Sequence, residues 1–217
     1  METLTEENYL KAIFKLSQSD ADKVSPTSIA EEVEVNAASV IDMIKKLREK
    51  DLITYEKKIG AELTLKGRKL ALNIVRKHRL WEVFLYEKLK YSWDEIHEMA
   101  EQLEHIQHDD LADRLDEFLN FPKFDPHGDP IPKANGSFPK ISKVLLSQKQ
   151  IGDDCRVVAI KDTSPDFLQY LKQLSIEIES KIIIKDRIAF DNSLVILVKG
   201  NLSSVSEKFA NSVFVKQ

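Results

Sequence analysis

The chain has 217 residues and a formal net charge of −4, with 42% hydrophobic and 31% charged residues. That size accommodates one large domain or two small ones around a real core. No apolar run approaches the ~18 residues of a membrane span, and the N-terminus lacks a basic region followed by an apolar one, so a cytoplasmic protein with no membrane partner is expected. The single Cys155 excludes an intramolecular disulfide framework and a multi-thiolate zinc site.

The elements read in order as follows. Residues 5–18 place Tyr9, Leu10, Ile13, Phe14 and Leu16 at helical spacing, with Thr5 as the available cap, and a polar break from Ser17 to Lys23 ends the helix. Ser25-Pro26 opens a second, short helix with Ile29, Ala30 and Val33 inside. It stops at Glu34-Val35, and Asn36 can cap a third helix in which Val40, Ile44 and Leu47 recur at i, i+4, i+7. Two short helices joined by a tight turn form a helix-turn-helix arrangement. Residues 52–55 and 62–65 then read as two strands around Gly60, with Lys57 and Lys58 at the tip, which makes a wing. A helix followed by a basic ribbon suits duplex DNA, the helix in the major groove and the ribbon against phosphates.

A long helix is predicted from Leu65 to Leu89, carrying His78 and Glu82 four residues apart. Ser92 and Glu95 form a capping box for the next helix, over residues 94–108, and another covers roughly 109–119. In the middle one, His97, Glu101, Glu104, His105 and His108 share a face, a donor set suited to a divalent transition metal. Charge is distributed accordingly. From Asp42 to Arg79 there are 12 Lys/Arg against 5 Asp/Glu, and from Leu80 to Asn120 only 3 against 12. The basic block can meet phosphates and the acidic block cations. Three helices with this much apolar surface are too few to close a core alone, which suggests a homodimer, and a dimer presents two recognition helices to two half-sites.

Five of the seven prolines, Pro122, Pro126, Pro130, Pro132 and Pro139, fall in residues 121–142, which reads as an extended linker. Beyond it, residues 156–161, 181–187, 194–199 and 212–215 are β-branched-rich runs, with a helical segment around Phe167 to Leu174 between the first two. They suggest a small, separate β-barrel.

The run Arg76-Lys77-His78-Arg79-Leu80 with Glu82, then His97 and Glu101-x-x-Glu104-His105, then Asp125-Pro126-His127-Gly128-Asp129-Pro130-Ile131-Pro132, resembles the diphtheria toxin repressor family of metal-dependent transcriptional regulators, including its manganese-sensing branch. The resemblance implies a mainly α fold with a small β part: a winged helix-turn-helix domain over 1–72, a helical metal-binding and dimerisation domain over 73–122, a proline-rich linker over 123–146, and an SH3-like (FeoA-type) β-barrel over 147–217. By residue matching it places an activating metal site on Glu101, Glu104 and His105 and an ancillary site on His78, Glu82 and His97. The first helix of the family supplies a ligand where this chain has Asn8, and one turn later a Glu where it has Lys11. Asp166 is the nearest candidate for a barrel ligand to the ancillary site. Asn36, Ser39, Asp42 and Lys46 fall where the family's recognition helix faces DNA, Thr27 and Ser28 could meet phosphate, and Lys57 and Lys58 belong to the wing. A carboxylate at 101 implies Mn²⁺, or else Fe²⁺, as corepressor for metal-uptake genes; oxygen-rich sets suit Mn²⁺, which sits low in the affinity order. The expected partner is double-stranded operator DNA. Two other readings stand beside this one: a metal-independent winged-helix regulator sensing a small molecule, and a di-metal carboxylate enzyme.

Overall fold

The computed structural model describes residues 2–18, 23–108 and 110–216; residues 19–22 of the expected polar break lie outside them. The chain forms two compact units, one of Met1–His78, Glu101–Arg114 and Pro132–Ser137, the other of Arg79–Ala100, Leu115–Ile131 and Phe138–Gln217.

In the first unit, α1 (Leu4–Ser17) is capped by Thr3 rather than Thr5. Thr3 holds extended backbone and a full capping box, its Oγ1 accepting from Glu6 N and the Glu6 carboxylate accepting from Thr3 N at 2.8 Å. Thr3 thus reaches Glu6 at the position where a reciprocal box closes, which Thr5 has no acid to do. Helix α2 (Pro26–Glu32) is capped by Ser25, and α3 (Ala37–Glu49) by Asn36, whose Oδ1 accepts from Ser39 N. Val40, Ile44 and Leu47 turn inward from α3, and Leu10, Ile13 and Ile29 are fully buried.

The hairpin pairs β1 (Ile53–Glu56) with β2 (Gly60–Leu63), Glu56 opposite Gly60. Gly60 therefore begins a strand instead of sitting in the turn. It lies at φ 135°, where a Cβ would strike the Val24 carbonyl. Val24 and Ala61 exchange both backbone hydrogen bonds at 2.8 Å, so the stretch before α2 lines the hairpin as a third edge.

Helix α4 (Leu65–Glu87) starts where Thr64 Oγ1 accepts from Gly67 N. Helix α5 is shorter than expected, Ile96–Leu103: Ser92 N does donate to Glu95, but as a turn ahead of the helix. Glu104 and His105 lie in the turn just past its end. Helix α6 spans Leu111–Phe118. Each of α4, α5 and α6 contributes residues to both units.

In the second unit, β3 (Lys143–Leu145), β4 (Asp154–Ile160), β5 (Lys181–Arg187), β6 (Leu194–Val198), β7 (Asn201–Val205) and β8 (Val213–Lys216) form one antiparallel sheet. The order is β3-β8-β4-β5-β6-β7, with register breaks at Val157/Ala159 and Ile184/Asp186 that curl the sheet around Val157, Leu168, Leu171, Ile182, Ile196 and Val215. Two helices, α7 (Pro165–Gln173) and α8 (Glu207–Ala210), close it. The proline-rich stretch carries no helix, yet it is not simply extended. Asp125 Oδ1 accepts from His127 N and Asp129 N, and Ile160 N donates to the His127 carbonyl. Gly128, at φ 85°, lies against the Val158 carbonyl with no room for a Cβ.

Candidate metal centre and nucleic-acid interface

Glu7 and Lys11 sit one turn apart on α1, so they leave the helix on the same side. Lys11 Nζ donates to Glu101 Oε1 and to Glu104 Oε2, each at 2.6 Å, and lies 3.2 Å from His78 Nδ1. His78 Nδ1 is also 2.6 Å from Glu104 Oε2. Glu7 Oε2 pairs with His105 Nδ1 at 2.6 Å, while its Oε1 accepts from Gln107 Nε2. That pairing turns the other ring nitrogen, Nε2, toward Glu104 Oε1, 3.8 Å away.

Glu104 is fully buried, and its Oε1 has no hydrogen-bond partner among the described residues. An orphaned carboxylate oxygen in the interior is costly. At metal–ligand bonds of about 2.1 Å, two atoms on one ion stand roughly 3.0 Å apart at a right angle and about 4.2 Å apart across it. The separation of Glu104 Oε1 and His105 Nε2 falls between these, and Glu7 behind His105 completes a carboxylate–imidazole pair that fixes the ring. This pair of atoms is therefore spaced to share a divalent ion. Lys77 adds positive charge nearby: burial pushes its ammonium down, against the charges of Glu7 and Glu104, which favour it.

Asn8 is exposed, so the α1 side chain that reaches this cluster is Glu7. Of the expected ancillary residues, His78 takes part in the Lys11 cluster, whereas Glu82 and His97 belong to the second unit, their side chains 3.0 Å apart. There Glu82, Asp125 and His127 are all buried, with ligand atoms within 4.8 Å of one another. His127 stacks on Trp93 and donates from Nε2 to the Trp93 carbonyl, leaving Nδ1 3.5 Å from Glu82. Burial would depress His127, but the Glu82 and Asp125 carboxylates outweigh it and raise its pKa. Burial, then the charges of Glu82 and Asp129, push Asp125 up to about 7 despite Arg79. Asp166 stands exposed in the first turn of α7, outside this group. His108 is exposed, paired with Asp110.

Asn36, Ser39, Asp42 and Lys46 are all exposed on α3 or at its cap, while Val40, Ile44 and Leu47 are buried. Asn36 is partly committed, since Oδ1 accepts from both Ser39 N and Ser39 Oγ. Asp42 pairs with Lys45 at 2.9 Å, which masks its charge on that face. Thr27 is exposed and Ser28 partly so at the start of α2, while Lys57 and Lys58 are exposed at the hairpin tip.

Known proteins resemble this chain along most of its length. Residues 1–61 match the model of the iron dependent repressor N-terminal DNA binding domain, residues 64–133 that of the iron dependent repressor metal binding and dimerisation domain, and residues 144–217 the FeoA domain. A solved manganese-dependent transcriptional repressor in complex with manganese is 35% identical, covering 98% of this chain and 99% of that one with a TM-score of 0.87. The chain belongs to the iron-dependent repressor family. Within that family, the manganese regulator SloR is 36% identical with a TM-score of 0.78, over 98% of each chain. The iron-dependent repressor IdeR of Mycobacterium leprae is 35% identical over 130 residues, 59% of this chain and 55% of that protein. The chain thus matches little more than half the length of such curated repressors. No helix among the described residues is long and apolar enough to cross a membrane.

The residues that direct reading of the sequence missed are Glu7 and the buried pair Asp125 and His127. A signal for Glu7 existed, its i, i+4 spacing from Lys11; for Asp125 and His127 the chain offers only their place in a proline-rich stretch.

Proposed function

We propose that this chain is a homodimeric, metal-dependent repressor that binds operator DNA in the cytoplasm and controls metal-uptake genes, a regulator and not an enzyme. Mn²⁺ is the corepressor that suits it best, with Fe²⁺ next. The observation that carries the reading is the meeting of α1 with the acid–imidazole cluster: Glu7 on His105, beside a buried Glu104 with one oxygen unsatisfied. Glu101, Glu104 and His105 would hold the ion, and Glu7 would orient His105 from outside. When bound, the ion supplies positive charge that ties these groups together. The carboxylates and imidazoles are a hard, oxygen-rich set with no thiolate, which admits Mn²⁺ without favouring softer competitors.

Regulation follows from linkage. Helix α1 packs on α2 and on the hairpin, so fixing α1 through Glu7 also fixes the platform that carries α3. In the dimer the two α3 helices must match the spacing of two half-sites. Metal favours whichever arrangement binds DNA, and DNA reciprocally tightens metal. Exposed Phe118, Phe121 and Leu89 in the second unit offer apolar area for the partner. The test is titration of a palindromic promoter fragment, from upstream of a metal-transport gene, with and without Mn²⁺. Tighter binding with Mn²⁺ supports the reading, and equal affinity refutes metal gating.

A further inference from the structure

The Lys11 ammonium sits where a cation belongs. It has two carboxylate partners at 2.6 Å, Glu101 and Glu104, and an imidazole, His78, at 3.2 Å. Two of those three, Glu101 and Glu104, are the residues proposed above as metal ligands. The ammonium is largely sequestered, with 17% of its side chain exposed, and Glu104 is fully enclosed. The Lys11–Glu104 bridge is therefore poorly screened by water and salt, whereas Glu101, with 39% of its side chain exposed, is partly open to solvent.

We infer that Lys11 is an internal competitor of the metal: its ammonium holds Glu101 Oε1 and Glu104 Oε2 in the metal-free protein and must give them up before both carboxylates can turn to a divalent ion. The inference rests on the metal-dependent reading and adds its regulation. Each carboxylate oxygen that meets the ammonium at 2.6 Å has one of its lone-pair directions occupied, and a dication a few ångströms from a lysine charge is strongly repelled. Lys11 is also on α1, so this displacement changes what holds the helix. Without metal, α1 is tied by Lys11 to Glu101 and Glu104 and by Glu7 to His105. With metal, the lysine tie is given up and the Glu7 tie remains. The protein therefore responds only above a free-metal level set by the ammonium's hold, and a neutral residue at 11 lowers that level.

The test is metal binding itself, read by Mn²⁺ titration with electron paramagnetic resonance of the free ion, on the full chain and on Lys11→Gln and Lys11→Met. The two substitutions remove the charge while keeping a side chain of similar length, and circular dichroism verifies folding. Loss of two charge-assisted bonds translates into at least a ~10-fold tighter Mn²⁺ affinity in either variant. Equal or weaker affinity in a folded variant overturns the competitor role while leaving metal dependence standing. No Mn²⁺ binding by the wild type or the variants overturns both. A second measurement needs no variant: in ¹⁵N-lysine spectra of the wild-type protein, diamagnetic Cd²⁺ should move the Lys11 ammonium resonance to that of a solvent-exposed lysine. An unmoved resonance at saturating Cd²⁺ overturns the displacement.

Discussion

Replacing Glu7 separates the geometry of this centre from a simple reading of family positions. Glu7 and His105 side chains are each only 10% exposed and meet at 2.6 Å, whereas Asn8, the α1 residue that family matching selects, faces solvent. Glu7→Ala removes the group that fixes the imidazole, leaving Nε2 free to swing from Glu104 Oε1. Losing such an outer partner typically costs about 10–100-fold in metal affinity, or roughly 1.4–2.8 kcal/mol. Glu7→Gln keeps an acceptor for His105 Nδ1 but not the charge, so it should lie between Ala and wild type. Asn8→Ala should change affinity less than about twofold, as expected for an exposed residue away from the cluster. The assay is Mn²⁺ binding by calorimetry at fixed pH, with thermal melts of the metal-free proteins as a folding control. If Asn8→Ala weakens binding tenfold while Glu7→Ala does not, the assignment of Glu7 as the orienting residue is wrong.

Three further outcomes are expected. Lys57→Ala with Lys58→Ala should weaken binding to all DNA sequences alike and reduce the slope of log affinity against log salt by about 0.9 for each phosphate no longer neutralised, measured by fluorescence anisotropy across a salt series; an unchanged slope removes the hairpin from the interface. Gly67→Ala should destabilise the fold by about 2 kcal/mol or more by chemical denaturation, because its Cβ would run into the Leu52 backbone at the start of α4, and a neutral result would contradict that packing. Cys155 is buried in the sheet domain, and burial pushes its thiol up, so thiol reagents at mild alkaline pH should label it only after unfolding. Rapid labelling of the native chain would contradict its position in that core.

Much of the helical part was legible because its signals are local. Val40, Ile44 and Leu47 recur at the spacing that buries one face, and Ser25-Pro26 and Asn36 start their helices as their side chains dictate. The start of α1 was misplaced: Thr3, not Thr5, caps it, through a reciprocal bond to Glu6. The strands β3 and β7 carry no comparable local signal. One is three residues long, and the other, Asn201–Val205, is a polar edge strand whose order comes from pairing with β6. The acid–imidazole face of α5 was visible, but the helix ends at Leu103, so Glu104 and His105 are aimed by a turn and not by helical phase. Asn8 and Glu7 differ by one position, about 100° around α1, and only tertiary packing decides which points inward. His127 belongs to a segment that reads as an extended linker, and its burial goes with a backbone bond from Ile160, far along the chain.

The most direct test of the central proposal is anomalous scattering at the manganese edge from crystals of the Mn²⁺-loaded protein. A peak bounded by Glu104 Oε1 and His105 Nε2, with Glu7 still on His105 Nδ1 and Lys11 withdrawn from Glu101 and Glu104, is the predicted result. A loaded protein with no manganese at that position, and Lys11 still gripping both carboxylates, would contradict it.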